Sequence, residues 1–277
     1  MTTAHANGIT VGYDSFGDEM LPAVLLISGL GSQRIRWDGR FCRQVSASGF
    51  RVIRFDNRDA GLSTHFTEAD AYTLDDMVAD TVGLMDALGI SDAHVVGRSM
   101  GGMIAQLLAC DHPDRVLSLT SIMSSTGNAG LPKAAPDVMA MLMTPRPHPA
   151  IDHDGYVAAG IHFARRIAGS GFPFDENAHR ALIAEELRRA YDPGGFARQI
   201  AAIGATGDIR HRIARIQAPS LIVHGMDDPL IPVACGEDTA TCIPGAEWLL
   251  IEGMGHDVPA GLWSPLARHF ARSQERL

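Results

Sequence analysis

The chain has 277 residues, 46% of them hydrophobic and 20% charged, with a net charge of −9. That length buries a sizeable core without disulfide or metal staples, and the negative balance argues against a nucleic-acid surface, which needs clustered Lys and Arg. No run of about 18 apolar residues marks a transmembrane helix, and Met1–Gly8 lacks the basic and apolar regions of a signal peptide. Cys42, Cys110, Cys235 and Cys242 show no metal-ligand spacing and sit in apolar stretches as buried free thiols. The expected setting is therefore reducing and cytoplasmic, with no metal and no cofactor.

In chain order, Ile9–Phe16 and Ala23–Ser28 predict strands, Phe41–Ser48 a short helix, and Arg51–Asp56 a strand. Leu74–Leu88 reads as a helix, Ala93–Gly97 as a strand, Ser99–Cys110 as a helix and Leu117–Met123 as a strand. Strands alternating with helices imply βαβ units and a mostly parallel sheet. The first two strands are too close for a helical crossover and are expected to be antiparallel. The rhythm then breaks from Asn128 to about Arg215, where Pro132, Pro136, Pro145, Pro147 and Pro149 precede helical segments at Tyr156–Ala168, Asn177–Ala190 and Phe196–Ala205. It resumes with the strand Ser220–His224, a helix near Val233–Cys242, the strand Glu247–Ile251 and a C-terminal helix from about Pro265. The expected architecture is an α/β core in two segments, 1–127 and 216–277. A helical cap, 128–215, lies over the sheet's carboxyl edge, where open α/β sheets place their ligands.

Gly97-Arg98-Ser99-Met100-Gly101 fits G-x-S-x-G between the strand Ala93–Gly97 and a helix, which puts Ser99 on a sharp strand-to-helix turn. A serine hydroxyl needs an adjacent base to act as a nucleophile. His256 follows the strand Glu247–Ile251 in Gly253-Met254-Gly255-His256, at the same sheet edge. His94 and His224 fall in or at the end of strands and read as packed residues. The orienting acid is expected after the preceding strand, where Asp227 and Asp228 both stand; Asp228, backed by Pro229, is preferred. Ser121–Gly127 holds no carboxylate, so an earlier position for the acid has no candidate. A developing oxyanion needs preorganised N–H donors. Met100, after the nucleophile, offers one, and Leu30, in Ser28-Gly29-Leu30-Gly31, offers the other.

Taken together, Ser28-Gly29-Leu30-Gly31, Asp56-Asn57-Arg58-Asp59-Ala60-Gly61-Leu62-Ser63, Gly97–Gly102, Asp228-Pro229 and Gly253–Asp257 resemble the α/β-hydrolase superfamily. The Asp-x-Arg-Asp-x-Gly-x-Ser segment, the Met-Gly-His-Asp ending and the helical cap resemble the aclacinomycin methylesterase group, from Ile9 to about Phe270. That resemblance implies cofactor-free cleavage of a methyl ester on an aromatic polyketide. Two positions depart from the pattern: Ser28 stands where many members have His, and Arg98 stands where a small or apolar residue precedes the nucleophile. Asp56–Ser63 is expected to brace its loop, with Arg58 paired to a carboxylate. Arg98 either points away from the pocket or anchors a substrate carboxylate.

Met123, Met139, Met141 and Met143, with Phe163, Phe172, Phe174 and Phe196, suit a roomy apolar pocket or the core of the cap. Trp37, Met123, Met143 and Phe163 are the candidate substrate contacts. The expected reaction is hydrolysis of a small to medium apolar ester through an acyl-enzyme. C–C bond hydrolysis of ring-cleavage products, and lactonase or perhydrolase activity, are the alternatives on the same triad. A small-molecule receptor with a vestigial triad is the remote one. The partner is a small apolar molecule, with no nucleic acid and no membrane; the sequence does not give an oligomeric state.

Overall fold

The computed structural model describes residues 2–67, 70–264 and 266. Its strands are β1 (Thr2–Ala6), β2 (Ile9–Phe16), β3 (Ala23–Ile27), β4 (Arg51–Phe55), β5 (Ala93–Arg98), β6 (Val116–Ile122), β7 (Ser220–Gly225) and β8 (Glu247–Ile251). They form one sheet in the order β1-β2-β4-β3-β5-β6-β7-β8. β3 to β8 run parallel through every pairing they share, whereas β2 is antiparallel to both β1 and β4. β2 and β3 thus run in opposite directions, as expected, but they are not neighbours, because β4 lies between them. This is the mostly parallel, helix-flanked α/β architecture anticipated from the sequence.

β3 (AVLLI) is apolar and buried along its whole length because both sheet faces are covered there. Alternate residues of one strand therefore feed different cores. Leu25, Ile27 and Val95 join the larger cluster, under α2 (Leu74–Ala87) and α3 (Met100–Asp111). Val24, Leu26 and Val96 join the second, with Phe41, Cys42 and Val45 of α1 (Gly39–Ser46). α3 is buried from Met100 to Cys110, which explains why its sequence is apolar all round rather than striped.

Between β6 and β7 comes a purely helical insert: α4 (Pro136–Met143), α5 (His153–Ile167), α6 (Glu176–Arg189), α7 (Pro193–Thr206) and α8 (Arg210–Ile213). α5, α6 and α7 each begin on an aspartate whose carboxylate accepts a backbone N–H of the first turn: Asp152 from Gly155, Asp175 from Ala178 and Asp192 from Gly194. α9 (Val233–Cys242) joins β7 to β8. The C-terminal helix expected from about Pro265 falls largely outside the described residues. Among the described residues no helix is long and apolar enough to cross a membrane. All four cysteines are free, three of them buried and Cys242 half-buried.

Candidate active site

β5 ends at Arg98 and α3 begins at Met100, so Ser99 alone makes the turn, at φ +54° and ψ −126°. A residue with a Cβ holds such a conformation at a cost of roughly 1–3 kcal/mol, which the surroundings must offset. Here the Ser99 N–H donates to Ile122 O at 2.9 Å, and the Ser124 hydroxyl donates to Ser99 O at 2.7 Å. The flanking glycines let backbone meet backbone. A methyl group on Gly97 would strike the Gly101 carbonyl, and one on Gly101 would strike the carbonyls of Ile27 and Ser28.

The same sheet edge carries the other two candidates. Asp228, after β7, is 6% exposed. Its Oδ1 accepts the N–H groups of Leu230 and Ile231 at 2.9 and 2.8 Å. Its Oδ2 lies 2.7 Å from His256 Nδ1. With Nδ1 on that carboxylate, Nε2 is the ring nitrogen left to act on another group. The neighbouring Asp227 faces elsewhere: its Oδ2 accepts the hydroxyl and N–H of Ser170 at 2.5 and 3.2 Å. The His256 N–H donates to Ile167 O at 2.6 Å and Gly255 N–H to Ala168 O at 3.1 Å. The glycines around His256 therefore admit the last turn of α5. Neither Ser99 Oγ nor His256 Nε2 has a hydrogen-bond partner among the described residues.

The candidate donors sit beside Ser99. Met100 is the first residue of α3, whose N–H has no partner within its own helix. Gly29, which opens the Leu30 turn, is close enough to the elbow that a Cβ there would lie 3.2 Å from Ser99 Cβ and 3.7 Å from Ser99 Oγ. Asn57 pins the entry to this turn by donating to Ser28 O at 2.9 Å. Asp56–Ser63 is a brace, as expected: Arg58 pairs with Asp80 at 2.6 and 2.8 Å.

The candidate substrate contacts are dispersed. Trp37 and Met123 are both 2% exposed and share one apolar cluster. Phe163 is half-buried on α5. Met143 is 56% exposed on the last turn of α4 and is not brought to the others. Arg98 is 8% exposed, with its guanidinium 5.1 Å from the Trp37 ring centroid. Burial pushes its pKa down to about 10, with repulsion from Arg36, against attraction from Asp257 and Glu186. His94 is packed against Ser118 and Phe50, and His224 against Ile231 O, 3.8 Å from Asp228 Oδ2.

One trio, Asp59, His65 and Asp192, has ligand atoms within 4.8 Å of one another. Arg198 already bonds both aspartates at 2.8–2.9 Å, offsetting one of their two charges and engaging the oxygens a cation would need. The residue that sequence reading missed is Gln199, fully buried on α7, which bonds both Gly31 and Arg58. No short-range sequence signal points to it, since its partners lie 168 and 141 residues away.

The α/β hydrolase fold family matches residues 22–159. The rhodomycin D methylesterase DauP of Streptomyces sp. (strain C5) is 31% identical, over 94% of this chain and 93% of its own. The rhodomycin D methylesterase DnrP of Streptomyces peucetius is 30% identical over the same shares. Among solved structures, the enol-lactonase from Burkholderia xenovorans LB400 superposes with a TM-score of 0.78 at 25% identity, over 99% of this chain and 100% of that one. With this sheet, this strand order and these relatives, the chain belongs to the α/β-hydrolase family and is a hydrolase.

Proposed function

We propose that the protein is a serine carboxylic-ester hydrolase, with Ser99 as nucleophile, His256 as general base and Asp228 as the acid that orients it. Ser99 Oγ attacks the ester carbonyl while His256 Nε2 takes its proton. The carbonyl oxygen, now an oxyanion, is held by the N–H groups of Leu30 and Met100. The oxyanion collapses, His256 returns the proton to the departing alcohol, and water repeats the sequence on the acyl-enzyme. Asp228 stabilises the imidazolium that forms between the two transfers. The observation that carries this reading is the 2.7 Å contact between His256 Nδ1 and Asp228 Oδ2. The helical insert, 128–215, acts as a cap over the sheet's carboxyl edge, and the substrate is a small to medium apolar ester. Likeness to the methylesterases supports a methyl ester, with a polyketide methyl ester as the candidate. We also infer a reducing, cytoplasmic setting, which the four free thiols support.

Likeness to the enol-lactonase supports a second reading, in which the same acyl-enzyme route opens a lactone. The deciding experiment compares methyl esters, lactones and vinylogous diketones with wild type and Ser99→Ala, and follows fluorophosphonate labelling. Loss of both labelling and ester turnover in Ser99→Ala is expected. Unchanged turnover in that variant refutes the triad, and diketone cleavage without ester turnover replaces the esterase reading.

A further inference from the structure

The turn that carries Leu30 is held from the insert. Gln199 Oε1 accepts the Gly31 N–H at 2.7 Å, and Gln199 Nε2 donates to Arg58 O at 2.8 Å. The side chain is 0% exposed, so both bonds form away from water, where they are strongest and most costly to lose. Three residues earlier, on the same face of α7, the Phe196 ring closes over Gly31, which adopts φ +61°. The remaining groups of the turn are also tied. Gly29 O accepts the Ser32 N–H at 3.2 Å, and Leu30 O accepts the Ser32 hydroxyl at 3.3 Å. Both peptide planes on either side of Leu30 are therefore fixed, while the Leu30 N–H itself has no partner among the described residues. Gly31, the other amide of the turn, is already committed to Gln199.

We propose that Gln199 is a positioning residue for the oxyanion turn: by occupying the Gly31 N–H and clamping that turn to the Arg58 carbonyl, it aims the Leu30 N–H at the reacting carbonyl. The proposal rests on Ser99 being the nucleophile. It makes seating of α7 a condition for fast chemistry, since the helix that contributes to the insert also sets one of the two oxyanion donors. An oxyanion contact strengthens between ground state and transition state, so its loss falls on kcat and leaves KM nearly unchanged.

The test uses the full-length protein with p-nitrophenyl acetate and a panel of methyl esters. Gln199→Met keeps the volume and removes both hydrogen bonds; it is expected to lower kcat about 10- to 100-fold with KM within about twofold, less than outright loss of a donor. The affinity for an alkyl trifluoromethyl ketone, which becomes an oxyanion when Ser99 adds to it, is expected to fall by the same factor as kcat/KM. The proposal is overturned by wild-type kcat in Gln199→Met or by a loss confined to KM. Should Gln199→Met not fold, Gln199→Asn, one methylene too short to span both partners, carries the same expectation and the same refutation. Ser99→Ala in the same assay separates the two levels. Turnover in that variant sinks the reading of the site itself, whereas a dead Ser99→Ala beside an unaffected Gln199→Met sinks only the role of Gln199.

Discussion

His256 Nδ1 lies 2.7 Å from Asp228 Oδ2, while Asp227, one residue earlier, turns its carboxylate to Ser170. The two aspartates are chemically alike and differ only in what they face. Asp228→Asn keeps the shape but favours the wrong imidazole tautomer, and kcat is expected to fall about 10³- to 10⁴-fold. Asp227→Asn loses only the link to Ser170 and should stay within about threefold of wild type, since exposed polar contacts contribute little. Steady-state kinetics on one ester substrate for both variants checks this; equal losses would refute the assignment.

Gly101 and Gly204 both sit in helices, yet alanine should act oppositely at the two. A Cβ at Gly101 meets the carbonyls of Ile27 and Ser28, whereas one at Gly204 in α7 meets nothing within 4 Å. Gly101→Ala is expected to displace the elbow, lowering both the melting temperature and kcat. Gly204→Ala should gain about 0.5–1 kcal/mol through helix propensity, with activity unchanged. Thermal unfolding of the pair measures the contrast.

Asp56 is fully buried and faces two cations, Arg34 and Arg189, as well as the N–H groups of Arg34 and Leu62. Asp56→Asn takes that carboxylate's charge from both buried guanidinium groups and leaves Arg34 with Asp14 alone. A loss of about 3–5 kcal/mol is expected, read as a fall of roughly 6–20 °C in the unfolding temperature for a chain of this size. A fall below about 2 °C would show the network to be dispensable.

Acidification should destabilise the protein in two stages. Burial lowers the pKa of His224, against smaller opposing effects from the Ile231 carbonyl and Asp228. Burial alone would raise the pKa of Asp59, but bonds from Arg198, the Phe66 amide and the Tyr72 hydroxyl outweigh it and hold it low. Both folded-state values lie below the unfolded ones, so each group contributes stability above its ordinary pKa and loses it as pH falls through the folded value. The first loss therefore begins below about pH 6.5 and the second below about pH 4. Chemical unfolding between pH 8 and 3 tests this, and Asp59→Asn should flatten the lower stage.

Much of this architecture was legible because strands buried on both faces leave short β-branched runs, and α9 and β8 fall where the pattern puts them. The missed elements have physical reasons. β1 is an edge strand of Thr, Ala and His with little apolar alternation, although Asn7-Gly8, at φ 48° and 77°, is the hairpin signal that announces it. α4 was hidden by its proline-rich surroundings, yet Pro136 occupies the first helical position, which needs no N–H. α5, α6 and α7 start one to three residues earlier than their apolar pattern suggests, because the aspartate caps set the boundary.

The site divides the same way. Ser99, Asp228 and His256 stand out as candidates because the proposed chemistry demands a fixed order along the chain. Gln33, Arg189, Arg198 and Gln199 are not, since each acts on a partner more than 100 residues away. Which face of α4 turns inward is likewise a matter of packing: Val138 is buried and Met143 is not.

The end of α5 supplies the two carbonyls that receive His256 and Gly255, and the segment just beyond it supplies Ser170 to Asp227. The insert and His256 therefore share one piece of backbone. An insert transplanted from a relative would have to reproduce those carbonyl positions, or it would displace His256. Single substitutions on α4 to α7 leave those carbonyls in place, whereas exchange of the insert as a unit puts them at stake.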